Sequence, residues 1–469
     1  MKKVEVNLVT KKSFFWFIAA LFSAITFLVV LYSPFRGEIS PKDRVKKVYY
    51  VDSMSEAQLK IIREFNELNK GKIEVVPKNL PLNEFTTDDR KEILTSALRS
   101  RNSGIDIFSV DMIWVPRFAK WAYTLNHDFS ERTLKEVDTL ALRPCYVGDS
   151  LVAFPLIFDE GVMYYRKDLI GTLPRGRELE REIQKGLTWH QFISISRLYQ
   201  STRTSRGDTL DPVFVFPGAE YEGMLCCFHE MLDNKESDRI FYPQTQMSST
   251  GSDVLPEKFE INLDTYPAAR ALQLLVNFIY HYNFSPPEVT QFNEYTSYLY
   301  ALDHNALFLK GWEGYPKQYH NYFSADEAAK VPAIGVAPLP HFIGDATSSV
   351  FGGWDLMISK FSKRKKEALK FIKFIFQKKN QEILWNEGGY LPVNDSVYHD
   401  GKYMRRHKGL VKVYDMLKWG RYRPFLQDYT RLSEIMAKYF HRALMHEISV
   451  KDALVQASRQ INDGYPVVN

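Results

Sequence analysis

At 469 residues the chain is too long for one hydrophobic core, so two or three domains are expected. Hydrophobic content of 45% and charged content of 25% are those of a globular protein. The 61 basic and 56 acidic residues are spread along the chain, which excludes the clustered basic stripe of a nucleic-acid binder, and Cys145, Cys226 and Cys227 form no Cys-x-x-Cys metal pattern.

In chain order, Lys2, Lys3, Lys11 and Lys12 precede an apolar run over residues 14–32. Its nineteen residues would span roughly 28 Å as a helix, close to the ~30 Å hydrocarbon thickness of a bilayer. Residues 1–13 are then a cytoplasmic basic tail, 14–32 a transmembrane anchor or signal segment, and 33–45 a polar linker. The run is long for a signal core and no Ala-x-Ala site follows, which favours an uncleaved anchor; if cleaved, the protein is secreted. No cysteine stands just after the run, so lipid attachment there is excluded. The remainder is expected to face the periplasm or cell exterior.

"VYYVD" from Val48 reads as a strand, and Ser55 with Gln58 makes a capping box for a helix to Asn69. "KIEVV" is a second strand, residues 88–101 a second helix, and "IDIFSV" from Ile105 a third strand. This order predicts a parallel, doubly wound α/β sheet, whose ligands bind beyond the strands' carboxyl ends, here Asp52 to Glu56 and Asp111 to Trp114. Pro116 suits the first turn of a helix over 115–122. "LVAFPLIFDEGVMYYRKDLI", from Leu151, reads as a strand broken by Pro155 and the Asp159-Glu160 pair, then a second strand. Residues 171–186 read as a charged surface excursion, and Thr188 with Gln191 opens the next helix. Residues 201–211 and 233–262 read as irregular, with 248–252 the loosest stretch. Later elements are a helix over 267–282, strands from Ile334 and from Gly352, a helix over 363–379 and a helical carboxyl end.

Enzyme signatures fail. "HRALMHE" misses the His-Glu-x-x-His spacing, Gly171 and Gly176 lack the Lys-Ser/Thr of a phosphate loop, and no Gly-x-Ser-x-Gly or Gly-x-Gly-x-x-Gly is present. Asp159 and Glu160 are neighbours on a strand and point to opposite faces, so they do not form a glycosidase pair together. Binding of polar groups, or plain solvation, suits them better. Nothing calls for a cofactor or a metal.

Five phrases in order resemble the family 1 extracellular solute-binding proteins of ABC importers, the maltose-binding-protein group: "GIDIFSVDMIWVPRFAKWAYTLNHDFSE", "GDSLVAFPLIFDEGVMYYRKDLI", "LTWHQFISISRLY", "GGWDLMISKFSKRKKEALKFIKFIFQKKNQEILWNEGGYLPVN" and "ISVKDALVQASRQIND". They cover nearly all of the chain after Lys46, apart from residues 200–265. His190 stands where the family often has an acid, and the usual lipid-carrying cysteine is missing. The resemblance implies a two-lobed periplasmic-binding-protein type II fold with an interlobe cleft. Residues 46–157 plus 347–396 would form one lobe, and 158–346 plus 397–469 the other, with Asp159 and Glu160 at the crossing. It further implies capture of a carbohydrate or similar polar solute by hinge closure, without turnover, and delivery to ABC permease subunits. A ligand-sensing ectodomain and a polysaccharide hydrolase are the alternatives.

Candidate ligand contacts are Glu56, Asp111, Trp114, Asp159, Glu160, Glu220, Tyr221, Trp312, Trp354 and Tyr390. Each has a competing role: Trp114 could pack on its own helix, Asp111 could cap one, and Trp312 could be core.

Overall fold

The computed structural model describes residues 45–101, 104–205, 211–241, 260–314, 333–424, 426 and 428–464. The expected membrane span at 14–32 and the loose stretch at 248–252 lie outside these residues. Among the described residues, no helix is long and apolar enough to cross a membrane.

The first third alternates as expected. Strand β1 (Lys46–Asp52) leads into helix α1 (Glu56–Leu68), where Ser55 and Gln58 form the capping box and Ile61, Ile62 and Phe65 are buried along one stripe. Strand β2 (Ile73–Asn79) is followed by α2 (Thr87–Arg99), opened by a second capping box of Thr86 and Asp89, and then β3 (Ile107–Asp111). Both β2 and β3 pair parallel to β1. The helix expected over 115–122 is one short turn, Val115–Phe118, continued as a 3₁₀ turn to Trp121.

A two-stranded ribbon, β4 (Tyr146–Val147) and β5 (Ser150–Leu151), precedes the long strand β6 (Phe154–Arg166), which is buried along its whole length. Pro155 and the acidic pair therefore do not divide two strands. The register with a later strand slips so that Ile157 faces Trp354 and Pro155 faces Asp355, leaving Leu156 as a bulge. A bulge is where a sheet tolerates a residue with no N–H to donate. The remaining strands are β7 (Phe214–Val215), β8 (Phe308–Trp312), β9 (Ile334–Ala337), β10 (Ser349–Ile358) and β11 (Gly420–Arg421). The sheet order is β2-β1-β3-β10-β6-β8-β7, with β11 on β10 and β9 on β6. Since β10 runs antiparallel to both β3 and β6, the sheet is mixed rather than wholly parallel. Strand β6 changes company along its length. Up to Glu160 it pairs with β10, and from Gly161 onward with β8 and β9.

Helices cover this sheet: α3 (Trp189–Ser205), α4 (Glu222–Glu230), α5 (Tyr266–Tyr280), α6 (Glu294–Asp303), α7 (Lys365–Ile375), α8 (Tyr429–Leu444) and α9 (Val450–Asp463). Thr188 and Gln191 bond reciprocally at the start of α3, as expected. The surface excursion contains a helix, Gly176–Lys185, and the helix expected over 363–379 splits into α7 and a second piece, Lys378–Ile383. All three cysteines are buried free thiols.

Candidate ligand-binding cleft

The ends of β1, β3 and β8, interior positions of β6 and β10, and the flanks of α1, α2, α4 and α6 converge on one cleft, with about 1340 Å³ of atom-free space counting the solvent at its mouth. Its floor is charged. The Asp52 carboxylate, at the end of β1, accepts hydrogen bonds from the Arg90 guanidinium at 2.6 Å, the Gln58 amide at 2.8 Å, the Tyr50 hydroxyl at 2.5 Å and the Ser109 hydroxyl. Arg90 is 2% exposed, and its guanidinium carbon lies 3.7 Å from the centroid of the Trp354 ring. Burial lowers its basicity, against the raising effect of the Asp52 carboxylate. The indole of Trp354 is thus backed by a cation that Asp52 neutralises.

Across the cleft, Arg423 donates to Asp111 at 2.5 Å and to Glu222 at 3.0 Å. Glu222 also accepts from the hydroxyls of Tyr429, at 3.0 Å, and Ser433. Burial raises the pKa of Glu222, as it must for a carboxyl removed from water. Trp312 is fixed at three points: its amide N–H donates to the Tyr298 hydroxyl at 2.7 Å, its carbonyl accepts from Tyr164 at 2.6 Å, and its indole N–H donates to Glu294 at 3.4 Å.

Of the ten candidate residues, Asp111, Asp159, Trp312, Trp354 and Tyr390 line this cleft. Asp111 lines the cleft and also caps the Met112–Trp114 turn, accepting from the Ile113 N–H at 3.0 Å. The other five are elsewhere. Trp114 is 2% exposed and packed in the core with the Lys91 ammonium 5.3 Å from its ring, because the turn after β3 folds the indole inward. Glu160 is buried beside Asp159, but strand alternation aims it at Ser349, whose hydroxyl donates to it at 3.2 Å. Tyr221 is buried behind the cleft and donates its hydroxyl to Glu294 at 2.6 Å. Glu56 points to solvent from the first turn of α1, and Glu220 is likewise exposed.

Sequence reasoning missed Asp52, Arg90, Glu222, Glu294 and Arg423. Asp52 had a signal, lying in the strand end singled out as a ligand-binding edge. The other four sit on helices or in a late connection, up to 333 positions apart in the chain, and carry no local pattern.

The chain was compared with known proteins. The profile of the family described as "Bacterial extracellular solute-binding protein" matches residues 60–408. A "Probable ABC transporter-binding protein" of Deinococcus radiodurans is 22% identical over 397 residues, covering 84% of this chain and 86% of the relative. Among solved structures, maltose-bound T. maritima MalE3 aligns with a TM-score of 0.73 and 25% identity, covering 89% of this chain and 99% of that one. A solute-binding protein from Thermotoga lettingae bound with alpha-D-tagatose has the same fold, with a TM-score of 0.70 and 17% identity over 89% of this chain and 99% of that one. The two-lobed α/β architecture is therefore that of solute-binding proteins, which bind and do not transform their ligands. With a family profile spanning most of its length and a charged, aromatic cleft built on its sheet, the chain belongs to the bacterial extracellular solute-binding proteins.

Proposed function

We propose that the chain captures a sugar or polyol in this cleft by hinge closure and delivers it to the permease subunits of an ABC importer. The observation that carries the reading is the pairing, in one cleft, of the aromatic side chains Trp312, Trp354 and Tyr390 with carboxylates held by buried guanidiniums. Aromatic faces stack on the apolar face of a sugar ring, and charged acceptors satisfy hydroxyls more strongly than neutral ones. The saccharides bound by the two structural relatives supply the ligand class.

The lobes are taken as residues 46–157 plus 347–396 and 158–346 plus 397–469. The change of partners along β6 near Glu160 supports that division. Asp52, Arg90, Asp111, Trp354 and Tyr390 then belong to the first lobe, and Asp159, Glu222, Glu294, Trp312 and Arg423 to the second, so one ligand can touch both. Residues 14–32 tether the protein to the membrane, with the cleft outside the cytoplasm.

A thermal-shift screen of mono- and oligosaccharides and polyols on the full chain tests this. A true ligand at 100 times its Kd adds about 2.7 kcal/mol of stability. Trp312→Ala and Trp354→Ala should each weaken its binding about tenfold or more, a loss of about 1.4 kcal/mol. Unchanged affinity in both variants, or turnover of the ligand, would overturn the reading.

A further inference from the structure

Among the described residues, six carboxylates line the cleft, on Asp52, Asp111, Asp159, Glu222, Glu294 and Glu313, against two guanidiniums, on Arg90 and Arg423. Both cations are already engaged: Arg90 by Asp52 at 2.6 Å, and Arg423 by Asp111 at 2.5 Å and Glu222 at 3.0 Å. Neither is paired with Asp159. That residue is 9% exposed, and its Oδ1 is buried without a hydrogen-bond partner among the described residues. Leaving a buried carboxyl oxygen unsatisfied costs free energy that a ligand donor would recover.

The surroundings of Asp159 narrow the donor. Asp159 faces Gly352 across the antiparallel β6–β10 pair, so both positions share a face of the sheet. A Cβ on Gly352 would fall 2.7 Å from the Trp312 ring, so the indole fills the space beside the carboxyl. The Lys310 ammonium lies 4.1 Å from the centroid of that ring, but Lys310 is 2% exposed, stands outside the cleft lining and is paired with Glu230 at 3.5 Å. An unsatisfied carboxyl beside an aromatic ring is an arrangement that holds an ammonium group. A neutral hydroxyl would satisfy the oxygen but bring no positive charge to a cleft whose carboxyl groups outnumber its guanidiniums six to two.

We propose that the solute bound here carries a protonated amine, as in an amino sugar or amino polyol, with the ammonium on Asp159 and against Trp312. This rests on the capture reading above and narrows its ligand class. Burial, and the neighbouring Asp111 carboxylate, push Asp159 up to about 7. Near neutral pH an arriving ammonium therefore favours the carboxylate, and the proton Asp159 held passes to the buffer.

The test titrates the full chain calorimetrically with matched sets: glucose, glucosamine and N-acetylglucosamine; galactose, galactosamine and N-acetylgalactosamine; sorbitol and glucamine. In at least one set the amine should bind about tenfold tighter than its neutral counterparts. The heat of that binding at pH 7 should differ between phosphate and Tris, reporting proton release. Asp159→Asn should reduce the amine preference to within about threefold. Should that variant fail to fold, the buffer dependence of the unaltered protein decides. Neutral members binding as tightly as their amines in every set that binds would sink the amine proposal and leave sugar capture standing, whereas no binding in any set would count against both.

Discussion

Arg90 and Glu160 illustrate two ways of keeping an ionisable side chain out of water. Arg90 stays charged because Asp52 lies 2.6 Å away, with Ser109, Gln58 and Tyr50 also bonded to that carboxylate. Removing one partner of a buried pair leaves the other stranded, so Arg90→Ala should cost about 3–5 kcal/mol in chemical denaturation. It should also weaken ligand binding, since Trp354 loses its backing; a loss under 1 kcal/mol, roughly, would contradict the buried geometry. Among the described residues, no cation pairs with Glu160. Burial, then Glu313, against the lowering effect of Ser349, and then Glu230, hold its carboxyl up at about 9. The fold thus binds that proton more tightly than the unfolded chain does. The corresponding stability is complete below the ordinary carboxyl range and is lost as pH rises through about 9. In a melting-temperature series from pH 5 to 9, Glu160→Gln should decline less steeply than the unaltered protein; parallel curves would show that Glu160 is ionised at neutral pH.

Strands β6 and β10 do most to place the site. Asp159 and Trp354 take their positions from this pair, and Gly352 provides the bare surface on which Trp312 lies. Gly352→Ala must move the indole or the strand. We expect a stability loss of about 1–3 kcal/mol from overpacking, together with ligand binding weakened about tenfold, read by calorimetry. Binding unaffected by this variant would mean that the position of Trp312 does not matter to the ligand. Elements with one apolar stripe, such as α1, were legible in the sequence because water on one side and core on the other impose a period. Helix α4 was not: all nine of its residues are buried, so polar and apolar positions have no outer face to alternate with. The same cause hid Glu222, whose charge is met by Arg423, 201 positions later.

At the scale of the whole molecule, the Asp111–Arg423 pair at 2.5 Å joins the two proposed lobes, as does Lys91–Glu434 at 2.8 Å. Asp111→Asn should weaken the first link, and the ligand-free variant should have a larger radius of gyration by small-angle X-ray scattering. Ligand should shrink the unaltered protein, as hinge closure requires. A radius of gyration unmoved by both the variant and the ligand would rule out lobe closure as the capture step. The sequence by itself determined the alternating strands and helices, the capped helix starts, the failure of enzyme signatures and the order of family phrases, because each depends on residues a few positions apart. It also named Asp111, Asp159, Trp312, Trp354 and Tyr390, five of ten candidates, which line the cleft. Only the tertiary structure decided that Trp114 turns inward, that Pro155 sits at a bulge in one continuous strand, and that Asp52, Arg90, Glu222 and Arg423 meet in one cleft. Burial and ion pairing are set by which distant segments come together, and a charge that finds its counterion hundreds of residues away leaves no mark on its neighbours.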